Sequence, residues 1–148
     1  MRTLLALLTL LAAVALSGCA TAKTYTLDAL PAERLAFRYG GGFTGQYQEY
    51  MLLPNGQLFY RREVLNELPF REVKPVDAKT AKDFFDTYEK QGFANLIYDD
   101  PGNMTYSITH TDAGGATAMT WGGDEAKPTE AVMSYWRRAM QAFEGKAD

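Results

Sequence analysis

A chain of 148 residues with 15 basic and 18 acidic side chains carries a net charge of −3 at pH 7 and contains no basic block, which argues against nucleic acid as a partner and against polybasic attraction to anionic membranes. Its single cysteine excludes an internal disulfide, and one cysteine with one histidine cannot supply the three or four soft ligands of a zinc site. Aromatic residues make up 13% of the chain, which suits a packed domain rather than a disordered stalk, and the length allows one such domain.

The chain opens with Arg2 and an apolar run from Leu4 to Leu16 that only Thr9 interrupts. That length suits the core of an export signal and falls short of the ~18 apolar residues a membrane span needs. Leu16, Ser17, Gly18 and Cys19 follow, two small residues standing directly before the cysteine. This quartet resembles the lipobox of bacterial lipoproteins. The resemblance implies that residues 1–18 are a signal peptide, that Leu16, Ser17 and Gly18 are read by the lipoprotein signal peptidase, and that Cys19 becomes the acylated N-terminus. The bilayer would then be a partner through Cys19, since two or more acyl chains at ~0.8 kcal/mol per buried methylene give a stable anchor. Ala20 stands where an Asp would mark retention at the inner membrane. By resemblance to enterobacterial sorting, this favours the outer membrane, facing the periplasm.

Residues 19–34 read as the lipidated cysteine and a small, polar tether, with Pro31 near its end and a reach of at most ~50 Å. Within it, Tyr25-Thr26-Leu27 has the pattern of a short edge strand. Residues 35–148 read as a single domain. Leu35, Phe37 and Tyr39 share one face of a first strand, which Gly40 to Gly45 interrupts before a second strand from Tyr47 to Leu53. Pro54-Asn55-Gly56-Gln57 predicts a tight reversal into a third strand, Leu58 to Arg62, and Phe70 to Val73 a further extended segment. Asp77 is placed to cap a helix with Ala81, Phe84, Phe85 and Tyr88 on one face, and Gly92 to end it, with Phe93 folding back on Tyr88. Met104 to Thr111 alternates as a strand, Asp112 to Gly115 turns the chain, and Ala116 to Trp121 returns. Pro128 suits the first turn of a last helix, which buries Val132, Trp136, Ala139, Met140 and Phe143 and has Gly145 just past its end. The order predicts an α+β fold, an antiparallel sheet of about five strands with two helices on one face.

Catalytic chemistry is not visible. Neither Ser107 nor Ser134 sits in a nucleophile elbow, and His110, the only histidine, continues an apolar strand face and reads as structural. Asp99/Asp100 and Asp124/Glu125 read as solvated turn acids without a calcium-loop pattern, so no metal and no cofactor is expected. Gly40-Gly41-Gly42 lacks the spacing of a phosphate loop. Two readings of that segment stand: a bulge that re-aims the strand, or a contact surface made by Gly41, Gly42, Phe43, Thr44, Gly45 and Tyr47, with Tyr50 beside it.

The Gly-Gly-Gly-Phe-Thr-Gly segment, the Tyr50…Asn55-Gly56 hairpin and the Phe84-Phe85…Gly92-Phe93 helix end together resemble a broad group of small bacterial lipoproteins. Gly41-Gly42-Phe43-Thr44-Gly45 in an early strand, followed by helix, strands and a terminal helix, is more distantly similar to emfourin, a small protein inhibitor of thermolysin-like metalloproteases. The expectation is a non-enzymatic, membrane-anchored interaction module of the cell envelope, its partner an envelope protein or the wall. The alternative is an emfourin-like inhibitor, which requires a protruding loop. Hydrolysis by carboxylates would require two acids converging in a concave pocket.

Overall fold

The computed structural model describes residues 23–64 and 68–147. Strand β1 (Arg34–Gly41) reverses into β2 (Gln46–Leu52), which turns into β3 (Leu58–Glu63) and then the short β4 (Arg71–Val73). Helix α1 (Ala78–Lys90) carries the chain across to β5 (Met104–Asp112), β6 (Gly115–Trp121) pairs with β5, and α2 (Glu130–Phe143) closes the domain. The strands lie in the order β4-β3-β2-β1-β5-β6, every pairing antiparallel. This is the expected α+β fold, with six strands because Val73 and Arg71 pair with Leu58 and Tyr60.

Both helices form for local reasons. The Asp77 carboxylate accepts the Thr80 backbone N–H at 2.9 Å and the Thr80 hydroxyl at 2.6 Å, satisfying one of the free N–H groups at the start of α1. Gly92 follows the helix with φ 64°, a left-handed conformation that ends it, and the Phe93 ring meets Tyr88 edge-on at 5.8 Å. In α2 the cap is Thr129, whose hydroxyl accepts from Val132 N at 3.4 Å, so Pro128 lies just before the cap and not in the first turn.

The apolar faces of both helices pack on one face of the sheet. Phe37, fully buried at the middle of β1, one of the two central strands, has ring centres of Phe143 at 5.4 Å, Tyr135 at 5.8 Å, Trp136 at 6.0 Å and Phe84 at 6.2 Å around it. Leu35, Tyr50, Leu52, Leu58, Ile108, Met119 and Trp121 complete that layer from the sheet. Tyr135 spans the two helices, donating its buried hydroxyl to the Phe84 carbonyl at 3.0 Å.

The opposite face is not bare. Met51, Leu53 and Phe59 form a second, smaller cluster, closed by Tyr25, Leu30 and Phe70. The buried Gln57 side chain behaves there like a peptide group: its Oε1 accepts Tyr25 N at 2.7 Å and its Nε2 donates to Tyr25 O at 3.0 Å. Asn55 Nδ2 adds a bond to Lys23 O at 2.7 Å. Two expectations are corrected here. From Lys23 onward the supposed tether is docked on the sheet, and Tyr25-Thr26-Leu27 is not a strand. Its backbone partner is a side-chain amide, and Ala29 N bonds Thr26 O at 3.0 Å in a turn.

Removing the central ring by Phe37→Ala is expected to cost about 3–5 kcal/mol, read as a lower urea midpoint with an unchanged slope. Burial pushes the Tyr135 phenol far above its usual range. Burial also raises Tyr39, helped by the charge of Glu144, and Tyr88, against the opposing hydrogen bond to Thr117. Below pH ~10 these groups are protonated in both folded and unfolded chains; above it the unfolded chain releases protons that the folded chain keeps. Stability should therefore fall as pH rises from about 10, by up to ~1.4 kcal/mol per pH unit for a tyrosine as buried as Tyr135. Urea melts of Tyr135→Phe at about pH 8 and about pH 11 should show a shallower alkaline loss than the parent.

Candidate functional site

The residues Gly40 to Gly45 are neither a bulge nor a kink; they are the reversal between β1 and β2. Gly40 pairs with Tyr47 and Gly41 with Gln46, and Gly42–Thr44 makes one 3-10 turn that Gly45 closes with its N–H on Gly42 O at 3.2 Å. The expected bulge is thus corrected, because pairing continues in register to the last residue of β1. Two glycines are required by space as well as by conformation. At Gly40, φ +151°, a Cβ would lie 2.0 Å from Gln46 O, and at Gly41, φ +111°, one would lie 2.4 Å from Asn103 O.

The turn is braced from the neighbouring strand. Gly42 N–H donates to Asn103 O at 2.6 Å, immediately before β5 begins. Thr44 Oγ1 reaches Gly41 O and receives Gln46 N, each at 3.4 Å. Hydrogen bonds at both shoulders, one of them through the Thr44 hydroxyl, therefore define how the turn presents its side chains. One side chain stands out: Phe43 is 107% exposed, with no part of its ring packed on the domain.

The remaining residues of the expected site separate. Tyr47 lies on the outer sheet face, half-buried under the Arg38 guanidinium at 3.9 Å from the ring centre. Arg38 is held in turn by Glu63 at 2.7 Å, and Arg61 bridges Glu49 at 2.6 Å and Glu63 at 3.2 Å. Tyr47 thus buttresses the hairpin stem. Tyr50 belongs to the core on the helix side, 4.9 Å from Tyr60 and 5.6 Å from Phe143, and takes no part in a surface site. Sequence reasoning missed Met104, which pairs with Gly41, is 41% exposed and places its sulfur beside Gly42. Alternation places it on one strand face with Tyr106 and Ile108, and only the register puts it at the hairpin. Leu16, Ser17, Gly18 and Cys19 lie outside the described residues.

Other polar groups singled out in the sequence have defined contacts. Asp100, expected to be simply solvated, fastens the loop after β6: its Oδ2 accepts Glu125 N at 2.7 Å and Ala126 N at 2.6 Å. The His110 ring lies 4.8 Å from Tyr88, tilted by 34°, with its Nε2 3.7 Å from Glu33. It lines an open cleft of about 560 Å³ with Glu33, Asp86, Glu89 and Asp112. Hydrogen bonding from Lys82 holds Asp86 below the usual carboxylate range, opposite to the shift a general acid needs. Among the described residues, no His, Cys, Asp and Glu side chains group to hold a metal ion, and no helix is long and apolar enough to cross a membrane. The sequence matches no protein-family model and no curated protein.

Since its ring touches nothing, Phe43→Ala should leave the unfolding free energy within about 0.5 kcal/mol of the parent in urea melts. Gly40→Ala, by contrast, should lower it by about 1–3 kcal/mol, because the backbone must abandon its conformation to admit the Cβ. Equal losses from the two variants would place the Phe43 ring in the packed structure.

Proposed function

We propose that this chain is a lipoprotein of the bacterial cell envelope, anchored through acylated Cys19 at the outer membrane and facing the periplasm. It acts there as a non-enzymatic binding module that engages an envelope protein or the cell wall. Its contact surface is the β1–β2 turn, Gly41, Gly42, Phe43, Thr44 and Gly45, with Tyr47 supporting the stem and Met104 beside it. The observation that carries this reading is the complete exposure of Phe43 on a turn whose backbone is hydrogen-bonded on both sides.

An exposed phenylalanine contributes nothing to folding, yet burying it in a partner is worth roughly 1.5–3 kcal/mol, and aromatic anchors commonly dominate interface energies. Because the turn is already ordered, little conformational entropy is lost when it docks. The same geometry favours a second reading, emfourin-like inhibition of a thermolysin-type metalloprotease, since an uncharged projecting loop can enter a cleft.

A photo-crosslinking residue at position 43, introduced into the acylated chain in its native membrane, should give a discrete protein or wall adduct that the same residue at the exposed Ala118 does not. Equal labelling from both positions would sink the turn as the contact surface. In parallel, residues 20–148 titrated against a thermolysin-like protease should abolish activity stoichiometrically, and less effectively after Phe43→Ala, if the second reading holds. Undiminished protease activity at micromolar domain would remove that reading for the protease tested.

A further inference from the structure

We infer that the domain stands upright on its membrane, with the Phe43 turn at the end farthest from the bilayer, so that its partner is a protein with an apolar pocket met across the aqueous phase and not a lipid surface. This rests on the proposed acylation of Cys19. The observation behind it is the docking of residues 23–30. A free tether from Cys19 to Arg34 would let the domain tumble far from the membrane in any orientation. The structure instead clamps Lys23 and Tyr25 to Asn55 and Gln57, in the turn between β2 and β3. Only the chain from Cys19 to Lys23 is left to span the gap, a reach of at most ~14 Å.

The clamp is at one end of the sheet and the glycine turn at the other. β2 runs from Gln46, beside the glycine turn, to Leu52, beside the clamp, and at ~3.3 Å per residue that separates the two ends by about 20 Å before the turn itself is added. The register assigns the other loops. Leu35 pairs with Leu52 and Arg34 with Thr111, so the β5–β6 turn at Asp112 to Gly115 lies at the clamped end. Gly41 pairs with Met104, so the start of β5 lies with Phe43.

On the outer sheet face Arg38 is paired with Glu63 and Arg61 with Glu49 and Glu63, so these two cations are already neutralised and offer little to anionic headgroups. The turn itself, Gly41 to Gln46, carries no charge. A partner for it must supply an apolar recess for one ring and hydrogen-bonding groups for the exposed peptide edges around it.

The acylated full chain tests this. With Cys19 blocked by lipid, a cysteine introduced at exposed Ala113 or Thr44 is the only free thiol and takes a fluorescent label, Phe43 being kept in both variants. In vesicles of phosphatidylethanolamine and phosphatidylglycerol carrying a headgroup nitroxide, the label at A113C should be quenched roughly threefold or more beyond that at T44C, given the strand-length separation. Quenching at T44C equal to or above that at A113C, in chains whose mass shows the acyl groups, would overturn the upright orientation and make lipid the target of Phe43. A mature chain without acyl mass that fails to bind vesicles would overturn the anchored reading, and this inference with it.

Discussion

The fold depends on the burial of Phe37 at the crossing of the sheet and both helices. β1 is the strand through which the two halves of the sheet communicate, paired with β2 on one side and β5 on the other. From its midpoint one ring meets α1 through Phe84 and α2 through Tyr135, Trp136 and Phe143. Tilted and edge-on aromatic contacts of this kind add to the area they bury, because ring edges meet ring faces. Two tyrosines on this side satisfy their hydroxyls within the domain: Tyr135 donates to a helix carbonyl and Tyr60 to Gln48.

A rigid sheet makes the glycine turn useful. A projecting aromatic on a long loop would lose much of its binding energy to ordering, whereas here the turn is only as long as the chain reversal requires. The glycines permit three backbones, those of β1, β2 and the segment entering β5, to approach where any side chain would collide. The same crowding recurs where Gly102 and Gly122 pass each other near the other shoulder of β5. Glycine is thus concentrated where the end of the sheet is tightest, and Phe43 stands fully exposed there with the partly exposed Met104 beside it.

The second face of the sheet connects fold to placement. Gln57 pairs with the backbone of a residue 32 positions away, using an amide to finish what a seventh strand would otherwise do. Tyr25 and Leu30 then cover Met51, Leu53 and Phe59. The segment closest to the proposed lipid is therefore part of the domain, which turns a swinging attachment into a short one.

Local order was legible from the sequence. Alternation in Leu35-Phe37-Tyr39 and Met104-Tyr106-Ile108, and the three-and-four spacing of Ala81-Phe84-Phe85-Tyr88, follow from side-chain geometry along a strand or helix, so they required no knowledge of partners. Asp77 and Gly92 marked the limits of α1 because caps act within a turn of the residues they serve. The proposed lipid attachment rests on sequence alone, in the quartet ending at Cys19. What only the tertiary structure decided involves residues far apart in the chain: that Gly40 to Gly45 is a hairpin end with Phe43 outside and Tyr50 inside, that Met104 joins it through register, that Asp100 ties down a loop 25 residues away, and that Lys23 to Leu30 lies on the sheet. Periodicity reports which face a residue shares with its near neighbours; it carries no information about which distant backbone will be within hydrogen-bonding reach, and that choice is made by the packing of the whole domain.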